Sequence, residues 1–544
     1  MRPYGPGVGD VVHLGGTGLR LRIPARVDDA GDEFHIGFGK TGRDGIGLAP
    51  VTTRESCDVV ISNVIVLDPV DGIQVASIGI REGRISGIGR AGNPGVFDNV
   101  DVVVGSGTVV IDAAGLIATP GGIDTHVHAL APRVFEAEIS SGMTTVLAQE
   151  AGPVWGVGLG SPWFLDIARH SLAQVPLNIG LLGRASSSRL DVLREAMESH
   201  VCGFKVHEDT GATLSTIDIA LQAADEADVQ VALHTDGLNE SLSVADTLAV
   251  LDGRVIHAFH VEGGGGGHAP DVLTLAGREH VIASSTNPTL PYGTNAAAEA
   301  LDMIMFCHGL ESSRDSDIQI ARARVRSATM AAENRLHDLG VIPITSSDAL
   351  GMGRAGETWW RTFAMASAQK SLTDDDADDN ERILRYLAKV TVNPALAHGL
   401  AHEVGRLAPG WRADIVLWDP RAFAAKPQTV LVGGYPVWGA TGDPNASIDG
   451  AEPLRLAEQF GAMGSAPAVL GAVITNRIAV DMSTLDRPVI VTRGCRDVRS
   501  SHMVRHGVLG TVEVDPLGAQ VRWDGVILRG EPADQVPMSR LHFW

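Results

Sequence analysis

Cysteine is scarce in this chain. The four present, Cys57, Cys202, Cys307 and Cys495, are widely spaced and form no CxxC pair. That excludes a disulfide framework and fits a reducing cytosol. Long apolar runs are also missing; none approaches the roughly 18 residues of a membrane-spanning helix. The opening MRPYGPGVGD has no basic segment followed by an apolar one. No secretory signal is therefore expected, and a cytoplasmic location is. Positive charge is short: 43 Lys and Arg stand against 65 Asp and Glu, for a formal net charge of −22. A surface of that sign excludes nonspecific binding to nucleic acid or to anionic membrane. What the chain does have is apolar material, 44% of its residues, enough for a sizeable core. Its 64 glycines are spread along the sequence, which reads as turn-rich rather than disordered. There is no internal repeat.

A length of 544 residues predicts two to four domains, unless one is a large barrel. Residues 1–120 read as an N-terminal β-rich segment. Within it, 59–67 (VVISNVIVL) is a strand, 78–88 a hairpin turning near Glu82-Gly83, and 102–111 a further β-rich stretch. Strand-like pieces return at 413–418 (ADIVLW) and 430–438, so 403–460 is expected to complete that β-domain around a central insertion. In the insertion, 121–402, short apolar runs alternate with segments at helical spacing such as 216–226 and 296–307. Eight such runs end near His128, Glu150, Gly183, His207, Asp236, Glu262, Thr286 and Asp348. Eight βα units predict a closed (β/α)8 TIM-type barrel, hence an α/β fold with a composite β-rich domain. The acidic run TDDDADDNE (373–381) is expected to be a solvated loop, and 461–544 a β/turn-rich C-terminal segment.

The chemistry lies where the apolar runs stop. One ends in Asp124-Thr125-His126-Val127-His128, another in Lys205-Val206-His207-Glu208-Asp209. Others end in His234-Thr235-Asp236, His257-Ala258-Phe259-His260 and Ser346-Ser347-Asp348. In a barrel these C-terminal strand ends converge on the face that carries active sites. Alternate residues on a strand point the same way, so an HxH pair can aim both imidazoles at one spot. A lone His at a strand end is more often a hydrogen-bonded structural residue; several strands ending in His or Asp, plus the HxH, make a metal site. Imidazole with carboxylate suits nickel, zinc or iron. Lys205 has two readings. It is a buried salt-bridge partner, or desolvation lowers its pKa and the neutral amine takes up CO2. The resulting carbamate can bridge two metals, and the surrounding histidines favour it.

Several segments together carry a family resemblance: GGIDTHVH (121–128), GFKVHEDTGAT (203–213), ALHTDGLNES (232–241), HVEGGGGGHAPD (260–271), SSTNPT (284–289), SSDALGMGR (346–354) and GDPNASI (442–448). YGPGVGDVVHLG near the start and EVDPLGAQVRWDGV near the end extend it. They resemble the urease alpha (large catalytic) subunit, of the amidohydrolase superfamily, over nearly the whole chain. The resemblance implies two nickel ions per chain. His234 and His260 would hold one; His126, His128 and Asp348 the other. N6-carboxylated Lys205 and a hydroxide would bridge them. His207 matches the residue that hydrogen-bonds the urea carbonyl, and Gly265 a backbone contact to urea. Cys307 and His308 match the flap cysteine and the flap general acid, with Asp209 and Arg324 orienting that histidine. Read alone, Cys307 is a core cysteine on an apolar helix. Expected partners are urea or a small amide, the beta and gamma small subunits in an oligomer, and nickel-delivering accessory proteins. The start at the alpha-type N-terminus implies no fused small subunits.

The chain departs from the family pattern around the site. Ala148-Gln149-Glu150-Ala151-Gly152-Pro153-Val154 stands where the family has GGGTGPA. Gly351 replaces an alanine whose carbonyl contacts urea, Thr210 a tryptophan, Gly309 a second histidine and Leu290 an arginine. The leading expectation is a urease, with a divergent binuclear amidohydrolase acting on another urea-like or cyclic amide as the alternative. Retained Cys307, His308 and Arg324 favour the former; the altered 148–151 favours the latter. A non-catalytic scaffold that kept a barrel is disfavoured by the intact ligand and acid positions.

Overall fold

The computed structural model describes residues 5–28, 31, 33–129, 131–150, 159–207, 210–234, 244–264, 271–372, 378–440, 453–454, 468–479, 485, 487–530, 532 and 536. The apolar, β-branched Val59–Asp68 forms a strand buried along nearly its whole length. It pairs antiparallel with Gly72–Arg81, which turns through Glu82 and Gly83 into Arg84–Gly92. Both turn residues have positive φ, 49° and 78°, the two-residue geometry that matches the twist of a hairpin. The β-rich stretch over 102–111 holds parts of two strands, Val100–Val103 and Val109–Asp112. A turn separates them, in which the Thr108 hydroxyl accepts from the Gly105 amide at 2.9 Å. The same sheet takes in Ile117–Pro120 and then, antiparallel to it, Ile415–Trp418, followed by the hairpin Pro427–Val432 and Tyr435–Ala440. Segments from before and after the barrel thus share one sheet.

The central insertion supplies eight parallel strands in sequential order: Gly122–His128, Met143–Gln149, Asn178–Arg184, Gly203–Val206, Gln230–His234, Ile256–Phe259, Val281–Thr286 and Ile344–Ser346. All but the edge of one are buried throughout, as strands covered on both faces must be. The first and eighth meet through a parallel bridge between Val127 and Ala349, where the His128 amide donates to the Ala349 carbonyl at 2.9 Å. Helices cover the outside. Leu214–Ala227 illustrates why: Ile217, Ala220, Leu221, Ala224 and Ala227 recur at three- and four-residue spacing and are buried. Thr213 caps its start, and Asp228 in the left-handed region (φ 54°) ends it. The sixth crossover holds, among the described residues, only the short 3₁₀ turn Val272–Leu275. The seventh is the long one, with helices Ala296–Cys307, Asp315–Arg324 and Ser327–Leu339.

The β-domain and barrel are joined tightly. Trp418 packs at a tilt against Trp359, ring centroids 5.1 Å apart, and its indole N–H donates to the Thr119 hydroxyl at 2.9 Å. Where the chain passes from one layer to the other there is no room for side chains. A Cβ on Gly121 would lie 2.0 Å from Thr144 Oγ1, and one on Gly122 would lie 2.4 Å from Met143 Sδ. The C-terminal segment is β/turn-rich and also extends the barrel sheet: Val473–Thr475 pairs with Ile179 and Gly180 at the start of the third strand, and Val489–Val491 lies beyond it. The acidic run is not a solvated loop throughout. Residues 373–377 lie outside the described residues, whereas Asp379 is buried, accepting from the Arg20 amide at 2.7 Å and from Lys370 Nζ at 2.6 Å. It anchors the N-terminal hairpin Val11–Leu14 and Leu19–Arg22.

Buried Asp414 links all three regions. Its carbonyl accepts from the Gly121 amide at 2.9 Å, Oδ1 from the Gly433 amide at 2.8 Å and Oδ2 from Asn178 Nδ2 at 2.7 Å. Asn178 in turn accepts from the Ala472 amide at 2.8 Å. Asp414→Ala is expected to destabilise by about 2–4 kcal/mol, since it strands two buried donors. A fall of several degrees in the calorimetric unfolding midpoint checks this; an unchanged midpoint would remove Asp414 from that role.

Candidate metal centre

The first barrel strand delivers His126 and His128, two residues apart, to the C-terminal mouth. Asp124 anchors them: its Oδ1 accepts from the His126 amide at 3.0 Å and from the Ser347 amide at 3.2 Å. The Ser347 hydroxyl donates to the His126 carbonyl at 3.2 Å and accepts from the Ala349 amide at 2.9 Å. This stitching of first strand to eighth fixes Asp348 opposite the two imidazoles. Both His126 Nε2 and His128 Nε2 stand 3.1 Å from Asp348 Oδ1. One ligand atom from each of the three residues lies within 4.8 Å of the others, and all three residues are buried.

The donor chemistry fits a divalent cation. His128 Nδ1 lies 2.7 Å from the Glu150 carbonyl, which can only accept, so Nδ1 carries the proton and Nε2 turns a lone pair inward. Burial holds the His126 imidazole well below its ordinary pKa, with Lys205 and His128 adding and Asp348 opposing. Burial pushes the Asp348 carboxyl up, but His126 and His128 outweigh it and hold that group well below its ordinary value. Lone pairs and a carboxylate aimed at one spot are the deprotonated donors a metal requires. The backbone here is strained: Asp348, Leu350 and His260 have φ of 56°, 62° and 35°. Such residues cost about 1–3 kcal/mol each and cluster at functional sites.

A second group adjoins the first. His234 ends the fifth strand and His260 follows the sixth, His260 Nε2 lying 2.9 Å from His234 Nδ1. His207 stacks on His234, ring centroids 3.8 Å apart. His126 and His260 are 5.6 Å apart by ring centroid, so the two groups share one space. Phe259 forms its floor, stacked on His126 at 4.0 Å, with Lys205 Nζ 3.9 Å from the same ring. Lys205 is 2% exposed. The strand ends therefore bring together His126, His128, Lys205, His207, His234, His260 and Asp348, while Asp209 and Gly265 lie outside the described residues.

The long seventh crossover reaches the mouth through Cys307, whose thiol donates to the Gly351 carbonyl at 3.1 Å. Burial, then the charge of Asp348, pushes that thiol up to about 12, so it stays protonated and a donor. His308 caps the same helix, half-buried, and Arg324 ends the next one. Two residues that the strand-end pattern did not single out as members of the site also matter. Asp124 orients the histidines, and its signal was its place two residues before His126. Gln149 touches the centre: its Nε2 is 3.0 Å from His128 Nε2.

Comparison with known proteins agrees with this geometry. Residues 117–450 match a family described as the amidohydrolase family, and residues 1–111 match the urease alpha-subunit N-terminal domain. Urease subunit alpha 2 of Streptomyces coelicolor is 55% identical, covering 99% of this chain and 98% of that protein. Urease subunit alpha 1 of Streptomyces avermitilis is 54% identical, covering 100% of each. Urease subunit alpha of Yersinia enterocolitica is 42% identical over 99% of this chain and 98% of its own length. Among solved structures, L-hydantoinase (dihydropyrimidinase) from Arthrobacter aurescens shares the fold. Its TM-score is 0.52 at 16% identity, covering 70% of this chain and 96% of that one.

Gly351 shows how closely the loop after the eighth strand approaches the ligands. A Cβ there would lie 2.3 Å from Asp348 Oδ1 and 2.9 Å from His128 Nε2. Gly351→Val should therefore displace a ligand and lower metal retention, by about the 10–100-fold typical of perturbed ligand support. Metal counted after dialysis against a graded chelator checks this; wild-type retention would mean the loop moves aside at no cost.

Proposed function

The chain belongs to the urease alpha-subunit family of the amidohydrolases, and we propose that it hydrolyses urea to ammonia and carbamate at a binuclear nickel site. What carries this reading is the convergence of His126, His128 and Asp348 within 4.8 Å, in a chain that aligns end to end with urease alpha subunits. Those three residues would hold one nickel and His234 with His260 the other. Lys205, carboxylated by CO2, would help to hold both. Bound there, the ions supply Lewis acidity to a carbonyl oxygen and a hydroxide at neutral pH.

The remaining work falls to side chains. His207 donates to the urea carbonyl oxygen, and the backbone at Gly265 and Gly351 positions the amide groups. His308 protonates the departing ammonia, oriented by Asp209 and Arg324, because an amine anion cannot leave unprotonated. Cys307, through its hydrogen bond to Gly351, holds the crossover over the mouth and excludes water. The carbamate product then decays to a second ammonia. Small beta and gamma subunits would complete the oligomer, and accessory proteins would load nickel in the cytoplasm. The contact of Gln149 with His128 favours one other reading, a different urea-like or cyclic amide on the same centre.

The test is ammonia release from urea, and from cyclic amides, by the chain co-produced with its small subunits, accessory proteins and nickel. Two nickel ions per chain with urea turnover are expected; two ions without it would transfer the site to another amide. Lys205→Ala should lose both ions and activity, with partial rescue by small carboxylic acids; unchanged metal content would remove the carbamate bridge. His308→Ala should keep both ions and lose roughly 10²–10⁴-fold in kcat. An unaltered kcat would take His308 out of the reaction.

A further inference from the structure

Of the segment that departs most from the family pattern, Ala148, Gln149 and Glu150 are among the described residues, and the two polar ones do different things. Glu150 turns its carboxylate away from the centre to Arg184, Oε2 lying 2.7 Å from Nε and 2.6 Å from the guanidinium terminus. Its carbonyl fixes the proton on His128 Nδ1. Gln149 turns inward. It pairs in register with His128 on the neighbouring strand, after a register shift between Val146 and Ala148. Such irregularities re-aim side chains beside active sites. The Gln149 backbone is pinned by the Ala129 amide, which donates to its carbonyl at 3.1 Å.

The Gln149 side chain is fully buried. Its Nε2 approaches His128 Nε2 at 3.0 Å, and its Oε1 makes no hydrogen bond. The His128 Nε2 lone pair points at the space shared with His126 and Asp348, so the carboxamide borders that space too. In this orientation an amide N–H faces the lone pair. A cation there would take that lone pair and repel an N–H. Half a turn about the terminal bond exchanges N and O with no change of shape. It presents the oxygen, an accepted ligand type for a divalent ion.

We propose that Gln149 is a further ligand of the metal centre, its carboxamide oxygen facing the cation held by His126, His128 and Asp348. The assignment rests on the binuclear reading above and deepens it. A glycine at this position offers the ion nothing. A neutral oxygen adds a donor without changing the charge of the ligand set, and it occupies space at the mouth that glycine leaves open. Glu150 supports the same ion from the other side of the His128 ring, and Arg184 holds Glu150 in place.

The test compares wild type with Gln149→Leu, Gln149→Ala and Gln149→Glu, each purified as the nickel-loaded complex and as its cobalt-substituted form. Two metals per chain are counted first; fewer in wild type would overturn the binuclear reading itself. Given two, chelator competition should show one ion of the Leu and Ala variants held about 10–100-fold more weakly and the other unchanged. Their cobalt ligand-field absorption should change, and Gln149→Glu should hold the affected ion at least as tightly as wild type. If Gln149→Leu does not fold by circular dichroism, Ala and Glu carry the comparison. Wild-type affinity and wild-type cobalt spectra in all folded variants would overturn the proposal while leaving the binuclear centre standing.

Discussion

The joint between the first and eighth barrel strands is what the rest of the centre depends on. It consists of the Val127–Ala349 bridge, the two backbone amides on Asp124, and the Ser347 hydroxyl placed between the strands. Without it the HxH pair has no carboxylate opposite. The joint is polar yet wholly buried, so each of its hydrogen bonds is formed where losing one is expensive. That requirement selects one register for the barrel as much as any apolar contact does.

Around this joint the protein trades comfort for position. Left-handed backbone at the buried Asp348 and His260 persists where the surrounding structure over-determines it. Gly121 and Gly122 are bare because neighbouring atoms occupy the volume a methyl would need. The docked β-domain, through Trp418 and Asp414, clamps the start of the first strand and so steadies its far end.

Much of this was legible in sequence. Barrel strands are buried on both faces, so a His, Lys or Asp at the end of an apolar run stands out sharply. The helix expected over 296–307 is the helix found, because small and apolar residues fill one continuous segment between turn signals. Legibility failed where the deciding contact is remote. Nothing local says that Asp379 leaves the acidic run to hold the N-terminal hairpin, or that 473–475 joins the third strand. Sequence marked both Gln149 and Glu150 as bulky newcomers near the metals. Only the register against the first strand, with its shift, decides that Gln149 turns in and Glu150 turns out.

The order of ligands along the chain has a consequence for biosynthesis. His128 and Asp348 are 220 residues apart, and the residues between them build the other six strands. A nascent chain still holding its last strand inside the ribosome displays the histidines without the acid that completes their site. An ion meeting such a chain finds an open pair of imidazoles and no enclosure. Enclosure of an ion is therefore a property of the finished barrel.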